Sequence, residues 1–167
     1  KDIGLFILWS DQPELYKKFN LYQAGKVLEI DLALMTDLPA STQTFTESSL
    51  SHLSTNDLSQ LQRLYNDQHQ SLMTLVRTVQ DWHEISKISS TKLFLARTPQ
   101  GTIANYFFIG KGQDLGGIIH EHLCTLPGHL SAIKKIFPLA KIWMPATSFI
   151  KSDKQYFMGL MRLGNCQ

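Results

Sequence analysis

The stretch GKGQDLGGIIHEHLC, Gly110 to Cys124, decides how this chain is read. It holds four glycines, then a β-branched run, then two histidines flanking a glutamate, and then a cysteine. A phosphate-binding loop needs glycines that run directly into a helix, so that free N–H groups and the helix dipole converge on the anion. Here the glycines lead into Ile118, Ile119 and His120 instead, and their spacing matches neither G-K-[ST] nor a G-x-G-x-x-G that opens a helix. The ordinary reading is a glycine-rich hairpin or bulge between two strands. On a regular strand His120 and His122 share one face and Glu121 points to the other. Two imidazoles can begin a zinc site, which wants three or four ligands, and His129 and Cys124 lie nearby in sequence. Strand histidines satisfied by their surroundings are the simpler alternative.

Outward from this stretch, the chain alternates between periods of two and of 3.6. Lys92 to Arg97 and Ile103 to Ile109 read as strands joined by a Thr98-Pro-Gln-Gly101 hairpin turn, and Ile118 to Cys124 as a third strand. Pro127-Gly128 starts a helix through Ile136, Lys141 to Met144 is a short buried strand, and Tyr156 to Leu163 is a closing one. Upstream, Thr55 or Asn56 caps an amphipathic helix carrying Leu58, Leu61, Leu64 and Tyr65, and a second helix from Val79 to Ile88 turns Trp82 and Ile85 to one side. Phe45 to Leu53 suggests a weak strand. At the start, Ile3 to Trp9 reads as a strand, Ser10 and Asp11 as N-caps, Gln12 to Phe19 as a short helix, and Val27 to Met35 as a strand. Residues 37–44, DLPASTQT, read as a linker. From residue 44 the order is β-α-α-β-β-β-α-β-loop-β, a mixed α/β layer and not a regular βαβ repeat.

Composition narrows the function classes. With 167 residues, 43% hydrophobic and 18% charged, the chain can bury a real core. A formal charge of +2, with sixteen Lys and Arg residues spread along the chain, gives no phosphate-tracking stripe, so no nucleic-acid partner is expected. Two cysteines, Cys124 and Cys166, read as free thiols of a reducing compartment. No apolar run approaches the roughly 20 residues that span a bilayer, and no signal peptide is visible. The expectation is a cytoplasmic protein without a membrane partner. The opening KDIGLFILWSD begins inside a strand-like run without an initiator Met, as expected of a piece cut from a longer polypeptide.

The element order from residue 44 resembles the GNAT superfamily of N-acyltransferases. Residues 5–25, LFILWSDQPELYKKFNLYQAG, carry a second resemblance, to the closing part of a GNAT domain. There Tyr16 matches the family's helix tyrosine, and Asn20-Leu21 stands where Gly-Phe is usual. The resemblance implies an α/β fold with a central, mostly antiparallel sheet and helices on both faces. It also implies two parts: residues 1–40 as the closing piece of a first module, and residues 44–167 as a second, degenerate module.

The resemblance further implies transfer of an acyl group from acetyl-CoA, or another acyl-CoA, by direct attack of an amine on a small molecule or protein. The strand that carries Glu121 would splay from the next one to receive the acyl-CoA. Glu121 would be the general base for the attacking ammonium, and Tyr16 the acid that protonates the departing thiolate. Ile119, His120, Gly128 and His129 would line the cofactor. The stretch HLCTLPGHLSAIKK departs from the family's pyrophosphate-binding Q/R-x-x-G-x-G/A: it has one glycine, Gly128, and Pro127 lacks an N–H donor. Two alternatives stand beside the enzyme. One is a non-catalytic GNAT-like module that supports a missing N-terminal module or forms a homodimer. The other is a metal hydrolase centred on His120 and His122.

Overall fold

A computed structural model of the chain describes residues 5–8, 10, 12–69, 76–113, 115–145, 150, 152 and 154–163. In chain order the elements are β1 (Leu5–Leu8), α1 (Pro13–Tyr16), β2 (Tyr22–Asp31), β3 (Thr46–Ser48), α2 (Thr55–His69), α3 (Val79–Ser86), β4 (Lys92–Arg97), β5 (Ile103–Ile109), β6 (Ile118–His122), α4 (Pro127–Ile136), β7 (Lys141–Pro145) and β8 (Gln155–Leu163). Ile3, Trp9, Asp11, Cys166 and most of the 146–153 connection lie outside the described residues. The elements make a mixed α/β fold with mostly antiparallel strands, as expected. They form two compact units, one of residues 1–30 with 144–167 and one of residues 31–143.

In the first unit β8 is flanked by β1 and β2, antiparallel to both, with Leu8 opposite Leu160 and Leu28 opposite Gln155. The N-cap of α1 is Gln12, without a side-chain cap, and not Ser10, whose Oγ accepts the Gln12 N–H ahead of the helix. A 3-10 turn, Lys17–Phe19, continues α1 and stops at Asn20, whose φ of 58° is left-handed. Asparagine is one of the few non-glycine residues that take this conformation at small cost. The expected strand at 27–35 is corrected at both ends. β2 begins at Tyr22 and stops at Asp31, because Asp31 Oδ1 accepts the Ala33 N–H and turns Leu32–Leu34 into a 3-10 turn.

In the second unit the strand order is β7-β6-β5-β4-β3. β6 and β7 are parallel and the other pairs antiparallel. Both faces of the central strands are buried, so β4 and β5 read as continuous apolar runs. Leu93, Leu95, Tyr106 and Phe108 face one way and pack with Leu61, Tyr65 and Trp82 of α2 and α3. Phe94 and Phe107 stack in parallel on the other face, with centroids 4.9 Å apart, and meet Phe45 and Phe137 edge-on. Edge-to-face aromatic pairs of this kind add about 1 kcal/mol each beyond the area they bury.

Local signals set most element ends, and they adjust the expected boundaries. The N-cap of α2 is Ser54, not Thr55 or Asn56: its Oγ accepts the Asp57 N–H at 3.1 Å. Thr78 and Asp81 form a reciprocal capping box at the start of α3. The expected weak strand at 45–53 is shortened to β3 and followed by a 3-10 turn, Leu50–His52. Segment 35–43 runs along α4 and is tied to it, with Lys134 Nζ donating to the Met35 carbonyl and Lys135 Nζ to the Ser41 carbonyl.

Candidate functional site

The glycine loop after β5 closes on its own chain. Gly110 N–H donates to the Ile118 carbonyl and Gly112 N–H to the Ser89 carbonyl, while Ser90 Oγ donates to the Gly112 carbonyl. Gly110 has φ +76°, and a Cβ there would sit 2.3 Å from the Ser90 carbonyl oxygen. The glycine is therefore required by close backbone approach to the turn after α3. Two loop N–H groups that could have faced an anion are spent on backbone carbonyls.

Beyond the loop, β6 departs from regular alternation. Phe108 stands opposite Glu121, but Ile109 stands opposite Ile119, so His120 is an extra residue in the ladder. This bulge turns the His120 and Glu121 side chains to the same face. His120 stacks on Phe108 at 6.4 Å, and its Nε2 meets the Gly110 carbonyl at 3.0 Å. His122, opposite Phe107, lies on the other face. The expectation that His120 and His122 share a face is thus corrected, because it assumed an unbroken strand. Among the described residues, no three His, Cys, Asp or Glu side chains converge as metal ligands do.

Glu121 meets an arginine that periodicity gave no reason to single out. Arg77, just ahead of α3, donates from Nη1 to Glu121 Oε1 at 2.7 Å and from Nη2 to Oε2 at 2.5 Å. Both side chains are largely buried, at 18% and 11% exposed. Tyr106 donates its hydroxyl to the same Oε1 at 2.9 Å. The guanidinium carbon lies 4.2 Å from the Tyr65 ring centre and 4.7 Å from that of Trp82. Burial opposes the charge on Arg77, but the hydrogen bonds and field of Glu121 outweigh it and hold its pKa above the ordinary value. Burial, and then the charge of Glu121, pushes the Tyr106 hydroxyl up. Burial also pulls His120 below the ordinary histidine range, although its bond to the Gly110 carbonyl works the other way.

A small cleft of ≈ 280 Å³, counted with the solvent at its mouth, lies beside this pair. Ile85, Ile88, Thr91, Phe108 and Lys111 line it together with Arg77, His120 and Glu121. Thr91 Oγ1 is buried there without a hydrogen-bond partner among the described residues.

Two ladder pairs and one side chain connect β6 and β7, the strands that would splay to receive a CoA. β6 and β7 pair through Ile118 with Lys141 and Ile119 with Ile142. Farther along, a side chain links the two strands: His122 Nε2 reaches the Trp143 carbonyl at 3.0 Å. Its Nδ1 accepts the Cys124 N–H, so the proton resides on Nε2, which donates. The neighbouring N–H groups are taken as well, Leu123 by the Tyr106 carbonyl and Thr125 by the Leu123 carbonyl. Gly128 sits in the first turn of α4, where the next N–H, that of His129, is already donated to the Leu126 carbonyl. His129 Nδ1 is tied to the β6–α4 turn, 3.2 Å from the Leu123 carbonyl oxygen. These residues do not fit an acyl-CoA.

Of the residues expected in a site, His120 and Glu121 come together at the bulge. Ile119 is fully buried between β5 and β7, and Gly128 and His129 stand at the other end of the β6–α4 connection. Tyr16 ends α1 in the first unit, half-buried. Arg77, Tyr65 and Tyr106 were missed. Arg77 belongs to no element, and its partner lies 44 residues away. Tyr65 and Tyr106 read only as apolar positions of their helix and strand.

No protein-family model and no curated protein sequence matches the chain. Solved structures do. A GCN5-related N-acetyltransferase from Anabaena variabilis superposes on 96% of this chain and over 46% of its own length, with a TM-score of 0.58 at 14% identity. A conserved protein of Enterococcus faecalis described as a probable N-acyltransferase gives the same TM-score at 10% identity, over 96% of this chain and 45% of its own. So does a GCN5-related N-acetyltransferase from Kribbella flavida, at 10% identity over 96% and 44%. At these identities the likeness is one of fold: the chain has the GNAT fold, and it spans about half the length of these neighbours. Among the described residues no helix is long and apolar enough to cross a membrane.

Proposed function

We propose that the chain is one GNAT-fold half of a larger N-acyltransferase, and that this half supports the transfer without performing its chemistry. The observation that carries the reading is the state of Glu121. Both of its oxygens accept hydrogen bonds from Arg77, and one also accepts from Tyr106. A carboxylate so committed is a poor acceptor for the proton of an attacking ammonium. The crossing of the β6–β7 gap by His122 and the single glycine at α4 agree with it.

The larger protein would transfer an acyl group from acetyl-CoA, or another acyl-CoA, to an amine of a small molecule or protein, with the cytoplasm as its compartment. The other half would be a second GNAT-like module in the same polypeptide, of which residues 1–40 are the closing piece, or a second copy of this chain. Solved neighbours twice as long as the matched region support the first arrangement. In it, Tyr16 would act as the acid of the first module.

One observation favours a catalytic role in this half: the bulge turns His120 and Glu121 together towards a cleft. That role requires Arg77 to leave Glu121. Calorimetric titration of the chain with acetyl-CoA, beside desulfo-CoA, separates the two readings. The expected result is no saturable heat. Saturable binding at micromolar concentration overturns the supporting role and makes Glu121→Gln the next variant.

A further inference from the structure

The surroundings of the Arg77 guanidinium have the composition of a receptor for a planar cation. Tyr65 and Trp82 present ring faces to it, and Glu121 sets one oxygen against each of its two terminal nitrogens. Aromatic faces plus a carboxylate are how proteins bind organic cations, and the paired, parallel hydrogen bonds select guanidinium over the compact ammonium.

The walls hold their places by contacts that do not involve Arg77. Trp82 Nε1 donates to Gln62 Oε1 at 2.7 Å, and its ring meets Tyr65 edge-on at 5.9 Å and Tyr106 at 6.4 Å. Tyr106 is locked in β5, opposite Leu95 of β4. The occupant alone comes from an irregular segment: Arg77 follows Val76, which is 86% exposed, and precedes the capping residue of α3. Withdrawing the guanidinium would therefore leave a shaped cavity with an uncompensated carboxylate at its base.

We propose that Tyr65, Trp82, Tyr106 and Glu121 form a binding site for an alkylguanidinium group supplied from outside the chain, and that Arg77 is its resident competitor. The inference goes beyond the supporting role proposed above and does not depend on CoA. Its test contains no CoA, so the two fail separately.

The test follows the indole N–H signal of Trp82 by NMR in wild type, Arg77→Ala and Arg77→Ala/Glu121→Gln. Each is titrated with agmatine (a free alkylguanidine), with an N-acetyl-arginine amide (a peptide arginine), and with butylammonium as control. Arg77→Ala is expected to bind a guanidinium probe saturably and butylammonium at least about tenfold more weakly. Wild type is expected to bind the same probe about tenfold or more below Arg77→Ala, because a tethered arginine competes at high effective concentration. The double variant is expected not to bind. Whichever guanidinium probe binds tighter identifies the source. Absence of binding to Arg77→Ala, equal binding to wild type, or no preference over butylammonium overturns the proposal. Should Arg77→Ala fail to fold alone, the proposal requires folded protein on refolding with agmatine and none with butylammonium. Equal recovery in both overturns it.

Discussion

Arg77 donates two hydrogen bonds, of 2.7 and 2.5 Å, to Glu121 while the same guanidinium lies against Tyr65 and Trp82. The pair ties the approach to α3 to the bulged strand β6, and it does so inside the main core of the second unit. Removing one partner leaves the other buried and unpaired, which costs about 3–5 kcal/mol. Replacing both with apolar residues of similar volume removes two desolvation penalties together. Urea denaturation of Arg77→Met, Glu121→Leu and the double variant is expected to show two large single losses and a double loss well below their sum. Additive losses would mean that the two side chains act independently.

The glycine loop gives a sharper contrast. Gly110 and Gly112 both have positive φ, at +76° and +66°, but a Cβ at Gly110 meets the Ser90 carbonyl at 2.3 Å and one at Gly112 meets nothing within 4 Å. Gly112→Ala carries conformational strain alone and is expected to cost about 1 kcal/mol. Gly110→Ala carries the same strain plus a displaced backbone, and is expected to cost about 2 kcal/mol more. Thermal melts of the two variants check the difference, and equal losses would count against the close approach.

His120 sets a pH dependence. Burial pulls its folded pKa below the ordinary value near 6.5. The unfolded chain therefore binds more protons between the two pKa values, and stability rises with pH through that window. The contribution is full above about pH 6.5 and is lost as the pH falls through the folded pKa. Stability measured at pH 7.5 and pH 5 is expected to fall in wild type, and to fall less in His120→Gln. Of the charged groups facing His120 in the cleft, Glu121 opposes this downward shift, and Lys111 and Arg77 add to it.

Much of this fold is legible because its elements carry strong local signals. The Thr98–Gly101 turn, the Pro127 start of α4 and the leucine stripe of α2 each announce an element through its own residues. The bulge at His120 has no such signal: Ile118 to His122 reads as an unbroken strand, and the extra residue is set by pairing with Phe108 and Ile109. A one-residue slip moves side chains to the opposite face, so the face assignment of both histidines failed with it. The candidate site was half legible. Glu121 could be placed by resemblance, whereas Arg77 lies in a connection and is brought to it only by the packing of α2 and α3 on the sheet.

His122 joins the two strands whose separation would open a cofactor cleft. Its Nδ1 accepts the Cys124 N–H and its Nε2 donates to the Trp143 carbonyl, with the ring almost fully buried. His122→Ala empties that volume and leaves a buried donor and a buried acceptor without these partners. Stability is expected to fall by about 2–4 kcal/mol. His122→Gln can restore one of the two bonds and is expected to fall between the variant and wild type. The same pair addresses the cleft: if the imidazole is what closes the β6–β7 gap, amide exchange at Leu123 and Cys124 rises in His122→Ala and only partly in His122→Gln. Unchanged protection at both amides would mean that the strands are held together by something other than this ring.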